Sequence, residues 1–302
     1  MQNGFEIAGC DFCGSLRNIN LYCVPDLRLR RFDCEYCVVQ CRECGHRYLN
    51  PRPRPGDLHL HYPDSYYYGR DPSVPVQYAR YRKQLAILPK KTGKLLDVGC
   101  ATGAWLLIAQ NAGWECYGTD FVSVQGQIPK IDIRIGAFPS INYESDFFDV
   151  VTAWGVMEHI YAPSQYFSAV RRVLKNGGRF IFLVPNANSL WSRWAYKEDI
   201  PRHVQFFTKK SIVNYSRKYG FDIAHINITN NIYSRPATGR GMFKRNILRL
   251  LGCSWSDIVE DKITGIHKIY GSVGSVLDTL VSHKVEEYFG LSGNMIVELV
   301  KR

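Results

Sequence analysis

Four cysteines fall into two short knuckles, Cys10-Asp-Phe-Cys13-Gly and Cys41-Arg-Glu-Cys44-Gly. Each C-x2-C pair puts two sulfurs on one tight turn, and the glycine after it supplies the backbone freedom such a turn needs. Two such turns facing each other offer four thiolates to one tetrahedral Zn²⁺. With sulfur in every position the metal has no open site for chemistry, so its role would be structural. A segment this short cannot bury enough core to hold itself together, and zinc supplies the missing folding energy. Cys34 and Cys37 form a third C-x2-C without the glycine, so the ligand set is not unique. Cys23 is a single thiol, expected to pack rather than ligate.

A second constellation lies in residues 94–120, KLLDVGCATGAWLLIAQNAGWECYGTD. Asp97 ends an apolar run, Gly99, Ala101 and Gly103 make a turn, and Asp120 closes the next run. A dinucleotide needs G-x-G-x-x-G, whose middle glycine lets the backbone approach a pyrophosphate. Ala101 and Trp105 break that fingerprint, which weighs against a nicotinamide oxidoreductase. A nucleoside without phosphates needs only the close turn and a carboxylate for its ribose hydroxyls. Asp120, about twenty residues on, suits that task. Asp97 suits a cationic amine, or a water held near it.

Three further groups can handle protons or anions. His159 follows the run Phe148–Ala153, and imidazole titrates near neutral pH, so it serves either as a general base or as a packed residue at a strand end. Arg202 and His203 sit in a long loop, residues 186–208, which also carries Trp191, Trp194, Asp199 and Phe207. Loops after strand ends concentrate catalytic groups. His203 is the first choice of base and His159 the second. Arg202 either holds a phosphate or carboxylate of a substrate or clamps the loop shut.

The elements that must position these groups alternate. Strands are expected at Leu95–Val98, Trp114–Thr119, Ile131–Ile135, Phe148–Ala153, Arg179–Val184, Phe221–Ile228 and Asn294–Val300. Helices are expected at Ala104–Ala112, Ser164–Lys175 and Thr208–Tyr219, and again at Gly239–Leu251 and around Val276–Tyr288. This is an α/β pattern with a mostly parallel sheet. Residues 50–82 are rich in proline and tyrosine and make an extended connection. Tyr62, Tyr66, Tyr67 and Tyr68 there dock the linker or line a substrate wall.

The segments D-V-G-C-A-T-G and F-D-V-V…M-E-H resemble motifs of the class I S-adenosylmethionine (SAM)-dependent methyltransferases. L-K-x-G-G-R-F and P-R-H-x-x-x-F-T add to that likeness. Together with C-R-E-C-G-H-R-Y-L-N-P-R-P they are similar to type-12 methyltransferases with an N-terminal cysteine knuckle domain. The resemblance covers residues 10 to about 225. It implies a seven-stranded Rossmann-like class I methyltransferase sheet with a small N-terminal zinc-binding domain. It also implies SAM held by Asp97, Gly99, Ala101, Gly103, Asp120, Phe121, Ala137 and Trp154. Ala137 stands where many relatives have an acid for the adenine amino group, so backbone and apolar contacts must serve instead. The implied domains are a knuckle domain over 1–50, a linker and leading helix over 51–90, and a methyltransferase domain over 91–302 with a helical insertion at 230–292.

The implied acceptor is a small molecule: a hydroxyl or carbon of a sugar, nucleotide-sugar or lipid-linked glycan. A net charge of +11 favours anionic partners. An RNA methyltransferase using the knuckles to bind RNA is therefore the alternative, although the absence of N/D-P-P-Y counts against base methylation. A non-catalytic SAM- or zinc-binding scaffold is a third reading. Ten cysteines without a secretory leader pattern argue for reduced thiols and a cytoplasmic setting. No apolar stretch is long enough to span a membrane, although the basic amphipathic segment 239–251 suits a membrane surface.

Overall fold

The computed structural model describes residues 4–62, 75–121, 131–189, 199–229, 231–232, 242–260, 262–280 and 288–302. In chain order the strands are β1 (Phe5–Glu6), β2 (Asn18–Asp26), β3 (Arg31–Cys41), β4 (Arg47–Leu49), β5 (Arg52–Pro53), β6 (Lys94–Val98), β7 (Glu115–Asp120), β8 (Asp132–Ile135), β9 (Phe148–Trp154), β10 (Leu174–Pro185), β11 (Gln205–Phe206), β12 (Phe221–Thr229) and β13 (Asn294–Lys301). The helices are α1 (Pro75–Leu85), α2 (Ala104–Asn111), α3 (Pro163–Val173), α4 (Lys209–Lys218), α5 (Met242–Leu250), α6 (Trp255–Val259) and α7 (Gly265–Leu280). The chain divides into two compact units. One comprises Met1–Pro63, Pro185–Thr208 and Ile228–Met295; the other comprises Asp64–Val184, Lys209–Asn227 and Ile296–Arg302.

The second of these units is built on a seven-stranded sheet of order β12-β13-β10-β9-β6-β7-β8. Strands β10, β9, β6, β7 and β8 pair in parallel. Covered on both faces, such strands must be apolar throughout. Leu95, Leu96, Val150, Val151 and Phe180–Val184 meet that demand with almost no exposure. The Arg302 N–H donates to Gly220 O, and the Lys301 ammonium donates to Leu174 O. The end of β13 thus meets the starts of β12 and β10, as an antiparallel last strand requires. On one side α2 packs Trp105, Leu106 and Ala109 onto Leu95 and Val150. On the other, Phe167 of α3 lies edge-on to Phe180 and Phe182 and stacks on Tyr215 of α4, 5.0 Å between centroids. Such aromatic pairs add about 0.5–1.5 kcal/mol each beyond their burial.

The other unit carries a four-stranded sheet of order β11-β4-β3-β2, with antiparallel pairing throughout. Register puts Cys23 opposite Cys37, and the two form a disulfide. This corrects two expectations: Cys23 is not a lone packed thiol, and Cys37 is not available as a metal ligand. Two cysteines in direct cross-strand register lie close enough for a bridge whatever their distance in sequence. Helix α7 also departs from expectation, because it starts at Gly265, well before Val276. Gly271 and Gly274 act as breakers in sequence terms, yet a Cβ on Gly271 would touch the Lys244 stem at 3.3 Å. Glycine there lets α5 and α7 pack closely. Ser254 caps α6, its hydroxyl accepting from Asp257 N–H at 3.1 Å. No helix among the described residues is long and apolar enough to cross a membrane.

Candidate functional site

The glycine turn lies where β6 ends between β7 and β9, a point at which the sheet's winding reverses and open α/β sheets take their ligands. Gly99 N–H donates to Thr119 O at 2.7 Å and Cys100 N–H to the same oxygen at 3.1 Å. Three residues in the turn are left-handed: Gly99 (φ 75), Ala101 (φ 50) and Gly103 (φ 78). Gly103 leads directly into α2, whose first turn has no side-chain cap. Asp120 ends β7, and its Oδ2 accepts from Ala101 N–H at 2.8 Å. The acid and the turn are thereby fixed to each other. Phe121 follows, 61% exposed. Gly136 N–H donates to Asp120 O, and Ala137 opens a short 3-10 turn beside the buried Phe138.

Asp97 is buried and accepts from the Thr152 hydroxyl at 2.7 Å. Trp154 ends β9, edge-on to Trp105. Its buried indole N–H has no acceptor among the described residues, which suits a ligand bearing a carboxylate. All eight residues expected to hold SAM therefore sit at or just past the ends of β6, β7, β8 and β9. The set fits the ligand's parts: an acid for ribose, an open backbone turn, an exposed aromatic ring and an orphaned donor. Cys100, inside the turn, is buried, and burial with the charges of Asp97 and Asp120 pushes its thiol up, which disfavours the reactive thiolate.

Gly99 admits no substitute. An added Cβ would lie 2.5 Å from a Val156 methyl, and the backbone is left-handed there. Gly99→Ala is expected to cost about 1–3 kcal/mol of stability, checked by denaturant unfolding. An unchanged midpoint would contradict the geometry.

Of the proton-handling candidates, His159 ends a 3-10 turn over Met157–His159, half-buried, with its N–H on Val156 O at 2.9 Å. His203 belongs to the other unit, is buried, and its N–H bonds Asp199 O at 2.8 Å. Arg202 departs from the substrate-binding expectation. It is wholly buried, and both terminal nitrogens donate to the Asp26 carboxylate at 3.1 Å, one of them also to His61 O at 2.6 Å. A guanidinium committed in this way is a clamp, the other role open to it. Burial would raise the Asp26 carboxyl, but the His61 and Arg202 hydrogen bonds outweigh it and hold the group below its usual value.

Asp26 and His61 carried no sequence signal, because Asp26 lies 176 residues from Arg202. Around this clamp the loop joins the small sheet. Gln205 pairs with Tyr48, and its side chain bonds His46 Nε2 at 2.8 Å. Burial lowers the pKa of His46. Asp199 is held by Arg28 at 2.6 Å, and Phe207 is buried against His46. Trp191, Trp194, Tyr66, Tyr67 and Tyr68 lie outside the described residues.

The two knuckles form matching turns. Gly14 N–H bonds Cys10 O and Gly45 N–H bonds Cys41 O, with both glycines left-handed. Cys10 Sγ lies 3.5 Å from Cys44 Sγ, Cys13 Sγ lies 3.5 Å from Cys41 Sγ, and all four sulfurs fall within 4.8 Å of one another. Tetrahedral Zn–S bonds of about 2.3 Å put sulfurs about 3.8 Å apart, so the donor set fits Zn²⁺. Burial pushes the Cys10 thiol up, and Cys44 up to about 11. Backbone N–H groups of Cys44 and Glu43 lower Cys41 in spite of its burial. Cys34 lies outside this group.

Comparison with known proteins bears on the turn. A methyltransferase-domain family model matches residues 72–226. An S-adenosylmethionine-dependent methyltransferase of Mycolicibacterium smegmatis is 29% identical over 97 residues, 30% of this chain and 38% of the relative. A ubiquinone biosynthesis O-methyltransferase of Cereibacter sphaeroides is 31% identical over 112 residues, 34% of this chain and 45% of the relative. The chain thus spans less than half the length of these curated relatives. Among solved structures it is similar to the complex between the Haloferax volcanii Trm112 methyltransferase activator and a methyltransferase. That likeness, with TM-score 0.53 and 16% identity over 77% of this chain and 94% of the other, is one of fold. The glycine turn, the acid bound to it, the seven-stranded sheet and a family model covering more than half of the residues lead to one assignment: this chain belongs to the methyltransferase-domain family.

Proposed function

We propose that this chain transfers a methyl group from SAM to a small-molecule acceptor, most directly a hydroxyl of a sugar, nucleotide-sugar or lipid-linked glycan. The observation that carries the reading is Asp120, held by Ala101 N–H at the end of β7 and so presented to a ribose. When bound, SAM supplies an electrophilic methyl on a sulfonium. The chain's own part is to hold the nucleoside, orient the acceptor and remove its proton. Asp97, Gly99, Ala101, Gly103, Asp120, Phe121, Ala137 and Trp154 are the holding set. Curated relatives named as O-methyltransferases support an oxygen acceptor.

His203 is our base, taking the acceptor's hydroxyl proton on its imidazole, with His159 second. Arg202 serves by fixing the backbone next to His203. Zn²⁺ on Cys10, Cys13, Cys41 and Cys44 would stabilise the small sheet and take no part in transfer. A cytoplasmic setting agrees with these four thiols, whereas the Cys23–Cys37 bond argues for a more oxidising one. Mass analysis of the protein isolated under thiol-trapping conditions separates the two.

The test is transfer of labelled methyl from SAM to nucleotide-sugars and to lipid-linked sugars. His203→Gln is expected to lower kcat by roughly 10²–10⁴-fold while leaving SAM affinity unchanged. An unaltered rate, with the pH profile intact, would remove His203 as the base. No transfer to any acceptor of these classes would remove the acceptor assignment.

A further inference from the structure

The edge of the sheet opposite the glycine turn carries a groove of about 410 Å³ lined by Arg171, Arg217, Lys218, Tyr219, Gly220 and Arg302. The last turns of α3 and α4 contribute Arg171, Arg217 and Lys218, and the end of β13 contributes Arg302. These elements border the starts of β10 and β12, whereas the SAM-holding residues follow the ends of β6 to β9. The groove is therefore a separate site.

Cations in the last turn of a helix complement its dipole, which accounts for each of them singly. It does not account for two helix ends and a strand end bringing four to one hollow with no acid in its lining. Gly220 makes the convergence workable. It is left-handed (φ 73), and a Cβ there would meet the Arg171 Nε at 2.7 Å. The missing side chain gives the guanidinium its place against the groove. Asp222 pairs with Arg302 at 3.3 Å, both exposed, and offsets one of the four charges.

Tyr219 lines this groove and also an adjoining hollow of about 730 Å³ that includes Ser140, Ser164 and Ser168. Its ring is backed by Phe167, 5.9 Å away and 25° from parallel, and the Lys218 ammonium sits 5.6 Å from its centroid. A rigidly backed aromatic ring among several cations matches the chemistry of a phosphate joined to a flat base. We infer that this groove binds a nucleotide unit, its phosphate on Arg171, Arg217 and Lys218 and its base against Tyr219. The unit comes either from a single-stranded RNA or from a free nucleotide. The site does not depend on what the methyl acceptor is.

The experiment is fluorescence anisotropy of the full chain with a labelled uridine decamer, competed by uridine 5′-monophosphate and by inorganic phosphate. Uridine is chosen so that adenosine recognition at the SAM turn does not contribute. Arg217→Glu with Lys218→Glu, both exposed, is expected to weaken binding by tenfold or more. The slope of log affinity against log salt should fall by about 1.4, the value for two lost phosphate contacts on a single strand. Tyr219→Leu should cost roughly five- to hundredfold, while Tyr219→Phe retains affinity. Arg171→Gln provides an independent variant from the other helix, and unchanged SAM binding checks the fold. A decamer that binds far more tightly than the monophosphate identifies a strand as the source; equal affinity identifies the free nucleotide. Absence of binding, binding indifferent to the charge reversals, or displacement by phosphate as effective as by the nucleotide would each overturn the inference.

Discussion

A Cys41→Ser chain is expected to lose its zinc and with it the cooperative unfolding of the small sheet. Cys10 and Cys41 are each 1% exposed and belong to one apolar cluster with Ala8, Val39 and Tyr48. The metal would therefore hold together the core that these residues form. Structural zinc contributes about 10–16 kcal/mol of apparent binding energy in peptides that fold around it. Loss of one thiolate in four removes much of that and leaves three thiols, of which Cys10 alone is buried, crowded within 4.8 Å. Wild type should carry one zinc per chain by metal analysis, and chelation should lower its unfolding midpoint. Cys34→Ser should leave both unchanged, because Cys34 is outside the cluster. A metal-free wild type that unfolds at the same denaturant concentration with and without a chelator would contradict the account.

Arg202→Met is expected to cost about 3–5 kcal/mol by leaving the buried Asp26 carboxylate without its cation, with only the His61 and Leu29 N–H hydrogen bonds remaining. Asp26 and Arg202 are both fully buried, so water cannot replace the lost partner. Adding Asp26→Leu should restore much of the loss, because the cost lies in a buried charge left without its cation rather than in the missing attraction. The pH dependence has a definite sign. The folded-state carboxyl of Asp26 is depressed, so its contribution is present above the unfolded carboxylate value of about 3.9 and fades as pH falls through the lower folded value. The gap between wild type and Arg202→Met should therefore close in acid. A gap constant from neutral to strongly acidic pH, or a double variant as unstable as the single, would refute the clamp.

What could be read from the chain was local. The knuckles announce themselves because ligands two residues apart must share a turn. The glycine turn does so because Gly99 and Asp120 are set by one strand–helix–strand unit. The edges of most elements in the seven-stranded sheet follow from runs such as Phe180–Val184, which only a doubly covered strand tolerates. The rest depends on pairing across long separations. Asp26 meets Arg202, and β4 meets β11, across more than 150 residues that impose no spacing rule. The Cys23–Cys37 bridge required the β2–β3 register, which the four knuckle cysteines, with their stronger pattern, obscured. Helix α7 was obscured by its glycines, although at Gly271 the missing side chain allows close packing against Lys244 and Leu248, a property of the partner helix and not of the local sequence.

In the proposed function the turn from Gly99 to Gly103, with Asp120, holds SAM. Calorimetric titration of the zinc-loaded full chain with SAM tests it, alongside NADH and with Asp120→Ala and Asp120→Asn. One SAM is expected to bind per chain and NADH not to bind, with a loss of roughly 10²–10⁴-fold in Asp120→Ala, the value of two hydrogen bonds to a charged acceptor. Asp120→Asn retains an acceptor for Ala101 N–H but not the charge, and so should fall between the two. Folded protein that fails to bind SAM, or binds it equally well without the Asp120 carboxylate, would contradict the account.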